Sequence, residues 1–187
     1  MVSRKFKGID VDVFPLGFGC MRLKMAGQEV DLDEFSRMVD AFLEAGFNYF
    51  DTAHPYIQGK SELAIRECLV NRYPRESYVL ANKLSGGCFD TEEEILPFFQ
   101  NQLEACGVDY FDFYLLHAVS AKQDAHFTKT NAYAAARQLK EQGRVRHLGF
   151  SFHDKADEMD KLLAQPIPEK EHTIQRQKGA KVSLHNF

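Results

Sequence analysis

An acid, a phenol, an amine and an imidazole occupy comparable places in this sequence. Asp51 closes the run Asn48-Tyr-Phe-Asp51, and Tyr56 follows it in the loop His54-Pro-Tyr-Ile-Gln-Gly59. Lys83 ends Leu80-Ala-Asn-Lys83, and His117 ends Asp112-Phe-Tyr-Leu-Leu-His117. Singly, each has a bland explanation. An aspartate at a strand end is ordinarily a cap, a lysine a solvated charge, a histidine a hydrogen-bonded structural group and a tyrosine a loop aromatic. As a set they suit proton donation. A tyrosine titrates near about 10, too high for an efficient acid at neutrality, and a neighbouring ammonium favours the phenolate. Lys83 is the candidate ammonium, Asp51 the carboxylate that keeps it charged and in place, and His117 the group that orients a carbonyl oxygen. The set suits adding a proton to an oxygen as negative charge develops there. It supplies no hydride, so a reductant must come as a cofactor.

The elements that position these groups follow from periodicity. Short apolar runs begin near Val13, Asn48, Tyr78, Asp112 and Arg146, at steps of 35, 30, 34 and 34 residues. Helical patterns separate them. Asp31-Leu-Asp-Glu34 reads as a capping box, followed by an apolar face of Phe35, Met38, Val39, Phe42 and Leu43 and a stop at Gly46. Ser61 to Tyr73 carries Ala64, Ile65, Cys68 and Leu69 and ends before Pro74. Thr91-Glu-Glu-Glu94 opens a helix to Gly107 that Pro97 must distort or delay. A longer loop follows the fourth run. Then come a helix over 132–142 closed by Gly143, and a short one capped by Asp154 that holds Met159, Leu162 and Leu163. Strand–helix alternation at this spacing gives parallel βα units. Two architectures fit: five units of a (β/α)8 barrel, or a complete doubly wound sheet. In both, ligands gather at the carboxyl ends of the strands.

Composition sets the class. The chain is 44% hydrophobic and 27% charged, which is globular rather than disordered. A net charge of −4 argues against nucleic acid as the main partner. No apolar run approaches a membrane span and the N-terminus lacks a signal-peptide core. The expected setting is therefore the cytoplasm, with no membrane partner. Cys20, Cys68, Cys88 and Cys106 form no C-x-x-C pair, so a metal site is not expected and reduced thiols are.

Read as a whole, the chain resembles the aldo-keto reductase family. Asn48-Tyr-Phe-Asp51-Thr-Ala-His-Pro-Tyr56 with Gly59-Lys-Ser61-Glu62 is similar to the family's F-D-T-A…Y…G…S-E signature. Leu80-Ala-Asn-Lys83 and Asp112-Phe-Tyr-Leu-Leu-His117 resemble the strands bearing the family lysine and histidine. Lys140-Glu-Gln-Gly143-Arg-Val-Arg-His-Leu-Gly149-Phe-Ser151 resembles the later glycine–arginine–serine segment. The resemblance spans roughly residues 8–165. It implies Tyr56 as general acid, Lys83 as its partner, Asp51 as support for Lys83 and His117 as carbonyl-orienting residue. NADPH is then the cofactor and a small aldehyde or ketone the substrate. Gly19, Cys20 and Met21 would lie near the nicotinamide, with Asp51 and Ser151 also in contact with the cofactor. The family's Asn after that serine is replaced here by Phe152-His153. The variant also resembles a bacterial subgroup whose members often carry a C-terminal ferredoxin-like segment, for which no cysteine cluster exists here.

The family barrel has eight units and five are legible in this sequence. Residues 1–165 read as a partial barrel and 166–187 as a polar tail, with 6 hydrophobic residues among 22. The expectation is a truncated reading of a longer reductase, whose inward-facing side chains and last strand edge stand exposed. The competing expectation is a catalytically inactive remnant acting at most as an interaction module, self-associating through that edge.

Overall fold

The computed structural model describes residues 12, 14 and 16–164. In chain order the strands are β1 Gly17–Gly19, β2 Met25–Ala26, β3 Glu29–Val30, β4 Tyr49–Asp51, β5 Val79–Leu84, β6 Phe111–Val119 and β7 Val145–Phe152. The helices are α1 Leu32–Glu44, α2 Lys60–Ile65, α3 Ile95–Cys106, α4 Ala121–Lys129, α5 Ala132–Glu141 and α6 Ala156–Ala164. The expected strand near Val13 is seen from Gly17, and Val13 itself lies outside the described residues. The expected polar tail, 166–187, lies outside them too.

β1, β4, β5, β6 and β7 form one sheet in that order, every neighbouring pair parallel. The chain thus advances across the sheet in one direction. A doubly wound sheet reverses direction at its switch point, so that alternative is overturned and the fold is an incomplete (β/α)8 barrel. β2 and β3 form a separate antiparallel hairpin, tied to the start of α2 by the Lys60 ammonium, 2.7 Å from a Glu29 carboxylate oxygen.

Successive strand residues point to opposite faces, and the two faces have separate cores. Phe50, Leu80, Tyr114, Leu116 and Phe150 pack with the helices. Tyr49, Val79, Ala81, Phe113 and Leu115 form the inner, concave core. The Tyr49 and Phe113 rings lie 5.7 Å apart although β5 runs between their strands. Strands two apart in a flat sheet stand about 9–10 Å from one another, so the sheet curls sharply. This curl corrects the expectation of an exposed inner face, because those five side chains are buried against each other. Gly17 belongs to the same curl: a Cβ there would lie 3.0 Å from the Tyr49 ring.

Most helices obey the local signals. The Asp31 side chain accepts from the Glu34 N–H at 3.0 Å, and α1 buries Phe35, Val39 and Phe42. Met38, expected on the same face, is exposed. α2 runs on through a π-helical turn, Arg66–Val70. α3 starts only at Ile95, so Pro97 falls in its first turn, where a missing N–H costs no bond. The Thr91 box does not form as expected, since Glu94 accepts from the Asp90 N–H instead, at 2.7 Å. α4 fills the stretch expected to be a loop. It buries Phe127 alone, too little apolar pattern to announce a helix.

At the amino end of the strands, buried Asp112 ties three elements together. It accepts from Arg75 at 2.6 Å, Leu80 N–H at 2.9 Å and Arg146 at 3.0 Å. Both guanidinium groups also lie over the Tyr110 ring, at 4.0 and 4.2 Å.

Candidate active site

The alternation that builds the inner core also aims the polar groups. Asp51 follows Tyr49 by two residues, Lys83 follows Ala81, His117 follows Leu115 and Ser151 follows Gly149. Each therefore shares the inner face, one step closer to the carboxyl ends of the strands. Gly19 lies opposite Asp51 in the sheet register.

Lys83 is the centre. It is 4% exposed, and its ammonium donates to an Asp51 carboxylate oxygen, to the Thr52 carbonyl at 2.8 Å and to the Tyr56 hydroxyl at 3.1 Å. Three donors meet three acceptors, which is the condition for keeping an ammonium charged away from water. The ammonium also stands 4.7 Å from the Tyr56 ring centre.

Tyr56 is held by an unusual turn. Ile57 and Gln58 both adopt left-handed backbone at φ 51° and 57°, ahead of Gly59 at φ 85°. For a β-branched residue this is strained, and strain of this kind collects at sites where the surroundings over-determine the chain. The ends of the turn are pegged by the Ser61-Glu62 pair. The Thr52 hydroxyl bonds Ser61 at 2.8 Å, and Ser61 donates to the Cys20 carbonyl at 2.9 Å. His54 Nδ1 lies 2.8 Å from fully buried Glu62. The other Glu62 oxygen accepts from Asn82 at 2.8 Å and Gln102 at 3.2 Å, and Gln102 in turn accepts from Tyr114 at 2.6 Å.

His117 packs edge-on against Tyr56, ring centres 5.7 Å apart. Its Nδ1 lies 2.7 Å from the Ser85 hydroxyl. Burial, and then the charges of Lys83 and His153, push its pKa down to about 4. The β6–β7 register shifts around it, between Leu116 and Val119. Ala118 takes φ 54° there, and its N–H donates to the Ser151 hydroxyl at 2.8 Å.

Asp51, Tyr56, Lys83 and His117 thus meet at one place. Of the other residues singled out in the sequence, Gly19 borders open space where a Cβ would stand. Cys20 is fully buried, and burial pushes its thiol pKa far up. Met21 is 52% exposed, and Ser151 is buried on Ala118. Sequence reasoning missed Ser85, Thr52 and the Asn82–Gln102–Tyr114 relay behind Glu62. The signal for Ser85 was available: it sits two residues past Lys83 and so has the same inward parity. Among the described residues no group of histidines, cysteines and carboxylates is arranged to hold a metal, and no helix is long and apolar enough to cross a membrane.

A parallel barrel wall with an Asp–Tyr–Lys–His cluster at its carboxyl face defines a class, and comparison agrees with it. The sequence matches the Aldo/keto reductase family over residues 15–182, and the chain belongs to that family. It is 29% identical over 161 residues to the uncharacterized oxidoreductase YqkF of Bacillus subtilis, covering 81% of this chain and 49% of that protein. An aldo-keto reductase of Mycolicibacterium smegmatis is 32% identical over 122 residues, 64% of this chain and 41% of the relative. Among solved structures, the holo form of aldo-keto reductase AKR11C1 from Bacillus halodurans superposes with a TM-score of 0.71 at 29% identity, covering 89% of this chain and 55% of that one. An aldo-keto reductase from Klebsiella pneumoniae in complex with NADPH shares the fold, with a TM-score of 0.69 at 24% identity over 87% of this chain and 54% of its own. The chain spans about half the length of the curated relatives it matches.

Proposed function

We propose that this chain carries the proton-donating half of an NADPH-dependent carbonyl reductase, acting on a small aldehyde or ketone. One observation carries the reading: the Tyr56 hydroxyl lies 3.1 Å from a buried Lys83 ammonium that Asp51 holds. NADPH, when bound, supplies a hydride to the carbonyl carbon. Tyr56 gives its hydroxyl proton to the carbonyl oxygen, leaving an alcohol and a phenolate. Lys83 stabilises that phenolate across the short contact, and Asp51 keeps the ammonium aimed. His117, held neutral by its surroundings, orients the carbonyl oxygen as a donor.

The residues present fit the nicotinamide end of the cofactor. Gly19 leaves the space beside Asp51 open to a flat ring, with Cys20 and Met21 continuing the turn. The Ser151 hydroxyl accepts from Ala118 and retains its own proton for a carboxamide oxygen. Four free cysteines suit a reducing cytoplasm.

The test is to titrate the 187-residue chain with NADPH by fluorescence and to assay a panel of aldehydes. Saturable binding and turnover that Tyr56→Phe removes support the reading, and absence of NADPH binding refutes it. A second reading rests on β7, which has no strand on its far side among the described residues. In that reading the chain is a non-catalytic module that associates with itself through this edge. A mass that rises with concentration, without NADPH binding, favours it.

A further inference from the structure

His117 is gripped from both neighbouring strands. On the β7 side, Ser151 accepts the N–H of left-handed Ala118. This bond pins the irregularity at the residue that follows His117, and such bulges are common beside active sites. On the β5 side, the Ser85 hydroxyl meets the ring itself, 2.7 Å from Nδ1. Ser85 is 4% exposed and sits in a fixed turn. Its carbonyl accepts from the Cys88 N–H at 3.0 Å. The next residue, Gly86, lies so tightly under α4 that a Cβ there would stand 2.8 Å from the Gln123 side-chain oxygen and 3.1 Å from both His126 and Phe127.

A hydroxyl facing an imidazole nitrogen can donate to a bare Nδ1 or accept from a protonated one. The choice decides where the imidazole proton goes, and so what His117 offers the site. Among the described residues the Ser85 hydroxyl makes this one hydrogen bond. If Nδ1 carried the proton, the buried hydroxyl hydrogen would have no acceptor, and an unmade hydrogen bond of that kind costs about 1–3 kcal/mol. A doubly protonated ring is opposed by its burial beside the Lys83 ammonium and His153. One arrangement satisfies every group: Ser85 donates, Nδ1 accepts and the proton sits on Nε2.

We propose that Ser85 is a positioning residue whose hydroxyl donates to His117 Nδ1 and fixes the tautomer that carries its proton on Nε2. That tautomer presents a neutral N–H donor on the ring edge away from Ser85. The opposite tautomer would present a lone pair, which repels a carbonyl oxygen. The use of this donor rests on the carbonyl-reductase reading, whereas the tautomer itself does not.

The test begins with the unaltered chain. Histidine labelled with 15N, read by long-range 1H–15N correlation at neutral pH and assigned through His117→Asn, should show His117 protonated on Nε2 with Nδ1 as a hydrogen-bonded acceptor. A proton on Nδ1, or on both nitrogens, overturns the proposal without any Ser85 variant. In Ser85→Ala the hydrogen-bonded Nδ1 signature should vanish and both tautomers appear. Turnover of an aldehyde should fall about tenfold, the loss of one such bond, at unchanged KM for NADPH. Ser85→Thr should restore both signals. Unaltered His117 resonances in Ser85→Ala also overturn the proposal. If the parent chain reduces no carbonyl, the reductase reading fails, and the tautomer is still decided by the spectra.

Discussion

The Lys83 ammonium lies 3.1 Å from the Tyr56 hydroxyl, across 27 residues of sequence, and is the one hydrogen-bond partner that hydroxyl has among the described residues. The phenol is therefore tied to the lysine and to little else, while the lysine is tied to Asp51 and Thr52 as well. The two residues should respond differently to replacement.

Tyr56→Phe removes a hydroxyl and leaves Lys83 with two of its three acceptors. Carbonyl reduction should fall by about 10²-fold or more, the usual contribution of a positioned acid, with an almost unchanged melting temperature. Steady-state kinetics beside a circular-dichroism melt checks both halves. Full turnover would remove Tyr56 from the role of acid.

Lys83→Met should cost both activity and stability. It leaves Asp51 and the Thr52 carbonyl without their donor at a nearly dry position. Unsatisfied groups of this kind cost about 1–3 kcal/mol. Urea unfolding should show a loss in that range for Lys83→Met and a smaller one for Tyr56→Phe, whose half-buried ring leaves water able to replace the lost acceptor. Equal stability of the two variants would contradict the hub role of Lys83.

His117 makes stability depend on pH in a defined direction. Its pKa is depressed in the folded chain to about 4, from an ordinary 6.5. Above pH 6.5 the ring is neutral in both states and sets no slope. Between 6.5 and about 4 the unfolded chain binds a proton that the folded chain refuses, so stability falls as pH falls through that window. His117→Gln should flatten this part of a pH series of unfolding free energies. An identical slope in the variant would assign the effect to other groups.

Asp112 predicts a purely structural loss. Asp112→Ala releases Arg75, Arg146 and the Leu80 N–H together, at the strand ends opposite the candidate site. The cost should be about 2–4 kcal/mol. That is somewhat below the ~3–5 kcal/mol of a fully buried broken pair, because the arginines reach water. Denaturant unfolding measures it. The His117 imidazole resonances should not move, and a shift there would show that the two ends of the barrel are coupled.

Local chemistry was legible along the chain. Strands expected from Asn48, Tyr78, Asp112 and Arg146 begin at Tyr49, Val79, Phe111 and Val145. The Asp31 cap stands where the residues announce it, and Gly46 takes the left-handed backbone of a helix stop at φ 83°. These signals concern neighbours within four residues, where propensity, capping and side-chain parity act directly. Period-two alternation likewise put Asp51, Lys83 and His117 on one face, and family motifs named them. What the sequence by itself determined is thus the elements, their parity and the membership of the set. The tertiary structure decided how they meet. Order and curvature of the sheet chose a barrel over a doubly wound layer, and brought Tyr49 to Phe113 across an intervening strand. Parallel pairing of neighbouring strands set Ser85 on His117 and Ser151 on Ala118, contacts separated by 32 and 33 residues. α4, with Phe127 as its one buried side chain, took its place from the surface it covers rather than from its own pattern. Periodicity records which way a side chain points, but only the pairing and curling of the strands bring distant side chains within reach of one another.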